Sequence, residues 1–155
     1  MKITFYAFGK IKAKFWRSAS TEYLNRIRHY VSIEVKELKD STISENDIGQ
    51  AIDDESERIL TAVPASSFLV ALDSRGQQMT SMALANFFNE KLNYGPANVV
   101  FAIGGAFGFS EKVLRRANLV LSLSEMTFPH EMARVILFEQ IYRAFSILRN
   151  EKYHK

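Results

Sequence analysis

Asn98 to Gly108 reads NVVFAIGGAFG, an apolar run that passes directly into glycines. The run from Asn98 to Ile103 has no room for alternation between apolar and polar side chains. That is the pattern of a strand covered on both faces, as in the middle of a parallel sheet. Ser67 to Leu72, SFLVAL, repeats it and ends in the predicted turn Asp73-Ser74-Arg75-Gly76. Leu119 to Leu123 supplies a further strand. Between these runs lie helical patterns from about Ser81 to Leu92, stopped by Asn93-Tyr94-Gly95-Pro96, and from Ser110, a predicted cap, to Ala117. Strand and helix in alternation predict an α/β domain with a mostly parallel central sheet flanked by helices. Residues 1–155 fit a single domain.

The amino-terminal half extends the same rhythm. Lys2 to Phe8 is a predicted buried strand ending at Gly9, and a helix is expected from about Ala13 to Tyr30. Val31, Ile33 and Val35 alternate with Ser32, Glu34 and Lys36, which predicts a strand near a sheet edge. Ser44 with Asp47 forms a capping box for a helix to about Ala62, stopped by Pro64. Its acids Asp53, Asp54, Glu55 and Glu57 point different ways around a helix, so a solvated face is expected rather than a metal cluster.

With 47% apolar residues and twelve Phe, the chain is not disordered, and no apolar run approaches the length of a membrane span. Met1 to Phe5 reads as a strand rather than a signal peptide, and cysteine is absent, so a cytoplasmic chain without thiolate chemistry is expected. The net charge of +3 is modest but uneven. Met1 to Lys39 holds nine Lys or Arg against three acids, and Arg143 to Lys155 holds four against one. Basic ends suggest a polyanion partner, weighed against the plainer reading of ordinary solvated helix faces.

Leu121 to Arg134, LSLSEMTFPHEMAR, breaks the pattern. A strand stops at Ser122, Ser124 to Phe128 form a loop, and Pro129 sits at a predicted first helical position. Ligand sites in parallel sheets lie at the carboxyl ends of the strands. Three loops, Leu72 to Gly76, Gly104 to Gly108 and Leu123 to Phe128, are therefore expected to converge. In the final helix Leu137, Phe138, Ile141, Ala144, Phe145 and Leu148 form one apolar stripe, and Met132, Val135, Ile136, Tyr142 and Ile147 lie on the other side. A helix apolar nearly all round predicts a homodimer through this helix. Arg134 falls in the main stripe, where it must either meet an acid or face a pocket or interface where an anion can bind. His130 reads either as a capping or packing residue or as a base.

The glycines also admit a dinucleotide-binding reading, with Glu125 about 20 residues beyond as the ribose acid. Their spacing is G-G-x-x-G rather than G-x-G-x-x-G, and too little chain follows for a second nucleotide-binding half. A non-enzymatic RNA- or ribosome-binding factor is the other alternative, resting on the basic ends.

Leu72-Asp73 with Gly76, Ile103-Gly104-Gly105 with Gly108, Leu123 to His130, Arg134, Tyr142-Arg143-Ala144 and the ending Tyr153-His154-Lys155 together resemble the RlmH family over essentially the whole chain. These are SPOUT-class methyltransferases that act on N3 of a pseudouridine in the helix 69 loop of 23S ribosomal RNA. The resemblance implies a trefoil knot in the C-terminal half, a feature that no periodicity reveals. It implies a homodimer in which the partner's tail completes the site. It also implies S-adenosylmethionine as cofactor, without metal, bound by Leu72, Gly104, Gly105, Leu123, Ser124, Glu125, Met126, Thr127 and Phe128, largely through backbone groups. The sequence departs from the family at Ala106-Phe107, where more polar residues are common.

Within that reading, N3 carries a proton between two carbonyls and is a poor nucleophile until the proton leaves. His154 and His130 are the candidates to handle it, with Tyr153 and Arg134 completing the catalytic group. Arg134, Arg143, Tyr153 and His154 are the expected RNA-binding residues.

Overall fold

Side chains of β1 (Lys2–Phe8) alternate between two cores, Ile3, Phe5 and Ala7 entering one and Tyr6 and Phe8 the other. That is the period-two geometry of a strand covered on both faces. The computed structural model describes residues 1–41, 47–105 and 107–154. In it β1 pairs in parallel with β2 (Ser32–Leu38) and with β4 (Asn98–Ile103), β4 pairs with β3 (Phe68–Gln78), and β3 with β5 (Leu119–Ser122). The order β2-β1-β4-β3-β5 makes the alternating β2 an edge and the apolar β3 and β4 interior, as their patterns predict.

On one face α5 (His130–Leu148) lies between α1 (Lys14–Arg28) and α3 (Ser81–Tyr94). Its predicted stripe is buried at Leu137, Phe138, Ile141, Ala144 and Phe145. Phe138 sets its edge against Phe5 at 4.7 Å, and Phe145 lies 5.1 Å from Phe88. α2 (Ile48–Ala62) and α4 (Glu111–Arg116) cover the other face through Ile59, Val63 and Val113. On the second side of α5, Val135 is buried, whereas Met132, Ile136, Tyr142 and Ile147 are partly covered. No helix among the described residues is long and apolar enough to cross a membrane.

Several local expectations are corrected. Ser44 lies outside the described residues, and the cap of α2 is Asp47, whose carboxylate accepts from Gln50 N at 3.3 Å. Glu55 is not on a solvated face: it is 8% exposed, on the same stripe as Ile52 and Ile59. Asp54 does pair along the helix with Arg58 at 2.8 Å. Ser110 occupies the N-cap of α4 without a capping bond. Pro129 precedes the first helical residue, because its ψ of 141° is still that of the incoming loop while its carbonyl accepts from Ala133 N.

Truncating Phe138 should leave a cavity among Phe5, Phe101 and the sheet and cost about 3–5 kcal/mol. Phe138→Ala is therefore expected to lower the urea midpoint strongly. Tyr94→Ala, at a site 90% exposed, should stay within about 0.5 kcal/mol of the parent.

Candidate functional site

Parallel strands deliver their following loops to one edge of the sheet, and here three of those loops meet. Leu121 of β5 pairs with Leu72 and again with Gln77, so Asp73 to Gly76 leave the register as an excursion within β3. The expected strand-ending turn is thus a bulge, after which β3 resumes against the same partner. Glycine at 76 is required by the close return: a Cβ there would lie 2.6 Å from the Val120 backbone.

The excursion turns Asp73 inward, its side chain 6% exposed. The carboxylate accepts from Arg75 N at 3.0 Å, Nε at 2.9 Å and Nη2 at 3.0 Å, and from the Phe109 N–H. Arg75 continues across to Phe109 O at 3.1 Å and to Glu111 at 2.8 Å. The first loop is thereby tied to the second. Burial alone would raise the Asp73 carboxyl, but the Arg75 hydrogen bonds and charge and the Phe109 N–H outweigh it and hold it below its ordinary value.

The second loop is tight. A Cβ at Gly104 would lie 2.9 Å from the Gly108 carbonyl carbon, and Gly108 has a φ of +78°. Gly105 O accepts from Gly108 N at 3.2 Å. Beneath it, the Glu55 carboxylate accepts from Gly105 N–H and from Ser41 N at 3.3 Å. Burial raises the Glu55 carboxyl above its ordinary value, with Asp40 and Asp54 adding to the rise and the two N–H groups opposing it. In the third loop the serines serve their own backbone, Ser122 Oγ donating to Ser124 O at 2.9 Å and Ser124 Oγ accepting from Met126 N at 3.0 Å.

The loops enclose a cavity of about 520 Å³, a volume suited to a cofactor-sized molecule. Leu72, Gly104, Gly105, Leu123, Ser124, Met126, Thr127 and Phe128 line it together, as does His130 from the first turn of α5. Glu125 is exposed and is not among the lining residues. Asp73, Arg75 and Phe107 of the expected loops also line it, and Ile52 and Phe109 join the wall from outside those loops. A signal for Glu55 does exist in sequence, since it falls on the Ile52 and Ile59 stripe; the inward turn of Asp73 has none.

The remaining candidates lie elsewhere. Arg134 is 2% exposed, donates Nη1 to Gly9 O at 3.0 Å and Nη2 to Phe8 O, and has Glu37 at 3.9 Å. It caps the carboxyl end of β1 and does not line the cavity. Burial lowers its pKa, against the charges of Glu37, Glu131 and Asp40. Arg143, Tyr153 and His154 form one group on the outer side of α5. Glu139 accepts from Arg143 at 2.6 and 2.9 Å and from Tyr153 OH at 3.1 Å, and Arg143 Nη1 is 3.5 Å from His154 Nδ1. Burial and a hydrogen bond with Tyr23 raise the Tyr153 phenol. Thirteen helical residues separate His130 from Arg143, about 20 Å at 1.5 Å each. Within one chain the tail and the cavity are apart.

The depressed carboxyl of Asp73 gives stability that is present above its ordinary value near pH 4 and lost as pH falls through the lower folded-state value. Thermal midpoints of the parent should therefore fall more steeply than those of Asp73→Asn between about pH 5 and about pH 3. The variant should be less stable at neutral pH. Equal slopes would show that the carboxyl is not coupled to folding.

The family model described as "Predicted SPOUT methyltransferase" matches residues 1–154. A probable methylase family protein from Haemophilus influenzae Rd KW20 is similar in structure, with a TM-score of 0.56 at 11% identity over 99% of this chain and 70% of that one. The SpoU methyltransferase AviRb from Streptomyces viridochromogenes, solved in complex with AdoMet, gives a TM-score of 0.42 at 11% identity over 94% of this chain and 61% of that one. The first of these likenesses shows a shared fold, and the match along nearly the whole sequence shows the family: this chain belongs to the SPOUT methyltransferases.

Proposed function

We propose that this protein transfers a methyl group from S-adenosylmethionine to N3 of a pseudouridine in the helix 69 loop of 23S ribosomal RNA, acting in the cytoplasm on assembled ribosomes. The observation that carries the reading is the meeting of the three motif loops in one cavity at the carboxyl ends of β3, β4 and β5. The residues present fit the cofactor. Leu72, Ile103, Leu121 and Phe128 offer an apolar slot for an adenine, and the glycine turn leaves no room for a Cβ at Gly104 or Gly105, so backbone forms that wall. Backbone N–H and C=O groups can read an adenine edge.

When bound, the cofactor supplies an electrophilic methyl group. The chain's own task is to hold the RNA base in line and manage the N3 proton. His130 lines the cavity and is the candidate proton acceptor that one chain itself places there. His154, Tyr153 and Arg143 stand about 20 Å along α5, so their participation requires the tail of a second copy. We therefore include in the proposal a homodimer through α5, whose partly covered Met132, Ile136 and Ile147 would meet the partner. Arg134 acts in this reading by fixing the start of α5 against β1 rather than by touching RNA. The trefoil knot belongs to the same proposal; a β3 that pairs with Leu121 both before and after the Asp73 to Gly76 excursion is compatible with a threaded C-terminus.

The dinucleotide alternative loses its ribose acid, because Glu125 is exposed outside the cavity. Calorimetry with S-adenosylmethionine, then methyl incorporation into ribosomes compared with naked RNA, tests the reading. Binding and incorporation into ribosomes are expected. RNA binding with no cofactor affinity would favour a non-enzymatic factor and overturn it. Gly104→Ala, whose new methyl collides with Gly108, should weaken cofactor binding at least about tenfold, or about 1.4 kcal/mol.

A further inference from the structure

The amino-terminal turn of α1 carries an aromatic pair that the fold leaves in solvent. Phe15 is 66% exposed, and its ring centroid lies 4.9 Å from that of the partly exposed Trp16. The buried positions of α1 are Ser20 and Ile27, so Phe15 takes no part in the core. Lys10, Lys12 and Lys14, close by in sequence, are exposed, and among the described residues none of their three ammonium groups forms an ion pair. Arg17 donates to Ile11 O and Lys12 O at 3.0 and 3.2 Å, fixing the entry into the helix.

This end of α1 is also fastened to the site. The Glu131 carboxylate accepts from Lys12 N at 2.8 Å and from Ala13 N at 3.3 Å, and its neighbour His130 lines the cavity. The first turn of α1, which carries the aromatic pair, is thus tied to Glu131, the residue that follows the cavity-lining His130.

We propose that Phe15, backed by Trp16, is a stacking platform for a nucleobase flanking the target nucleotide, with Lys10, Lys12 and Lys14 on the adjoining phosphates. The inference rests on the RNA methyl-transfer reading above. A base that enters the cavity must leave its stack, and its neighbours then lack a partner. Single-stranded RNA is bound by this combination of exposed aromatics and unpaired cations. A second copy of the chain is the poorer occupant, since three unpaired lysines close to the pair in sequence call for an acidic surface, and the nearby Glu131 carboxylate is already engaged by backbone N–H groups.

Phe15→Ala tests this with little risk to folding, because the side chain is largely in water. Its KM for ribosomes should rise about tenfold while the turnover at saturating ribosomes, the affinity for S-adenosylmethionine and the sedimentation behaviour stay at parental values. Phe15→Trp should keep the parental KM. An unchanged KM in Phe15→Ala would overturn the platform, and so would a loss of the parental oligomer, which would make the pair a protein contact. A parental protein that binds S-adenosylmethionine but methylates no RNA would overturn the underlying reading as well; parental activity on RNA with an indifferent Phe15→Ala would overturn the platform alone.

Discussion

Leu121 faces β3 twice, opposite Leu72 and opposite Gln77, and the site depends on that doubled pairing. The four residues between cannot lie in the sheet, so they are driven out at its carboxyl edge, beside the loop that leaves β4. The return is close enough that only glycine fits at position 76. Once the excursion is placed, Asp73 turns inward and gathers Arg75 and the Phe109 N–H, which locks the first loop to the second. Glu55 holds the other side of the second loop at Gly105. The glycine part of the cavity wall is thus backbone braced by two carboxylates, Asp73 at the cavity and Glu55 beneath Gly105. Such a wall can present fixed N–H and C=O groups without reorganising when a ligand arrives.

Much of this was legible in the sequence, for a physical reason. Apolar runs without alternation report coverage on both faces, and SFLVAL and NVVFAI do form interior strands. Alternation from Val31 to Lys36 reports one solvated face, and β2 is an edge. Position at the carboxyl end of a parallel strand was enough to bring three distant loops together. What was not legible depends on which segments meet. Asp73 reads as a turn residue until the second pairing with Leu121 is known, and the acids of α2 read as one solvated face although Glu55 lies on its apolar stripe. Arg134 posed a choice between an acid and an anion site; the Phe8 and Gly9 carbonyls at the end of β1 accept from Nη2 and Nη1, with Glu37 at 3.9 Å from Nη1. Strand order and threading are properties of long-range pairing, about which local periodicity is silent.

The division of labour along α5 follows from helix length. Its first turn closes the cavity, its middle fills the core through Leu137, Phe138 and Ile141, and its outer end gathers Arg143, Tyr153 and His154 on Glu139. A rigid helix keeps those ends apart, so one chain presents the proposed cofactor cavity at one end and a basic, aromatic tail at the other. Two copies related by a twofold axis can bring unlike ends together, which is the physical content of the proposed dimer.

If the backbone of the three loops forms one cofactor cavity, a backbone-amide NMR titration of the protein with S-adenosylmethionine reads it directly. The largest shifts should fall together on Leu72 to Gly76, on Gly104, Gly105 and Gly108, and on Leu123 to Phe128, saturating at one common concentration. Shifts confined to a single loop, or centred on residues away from all three, would contradict it.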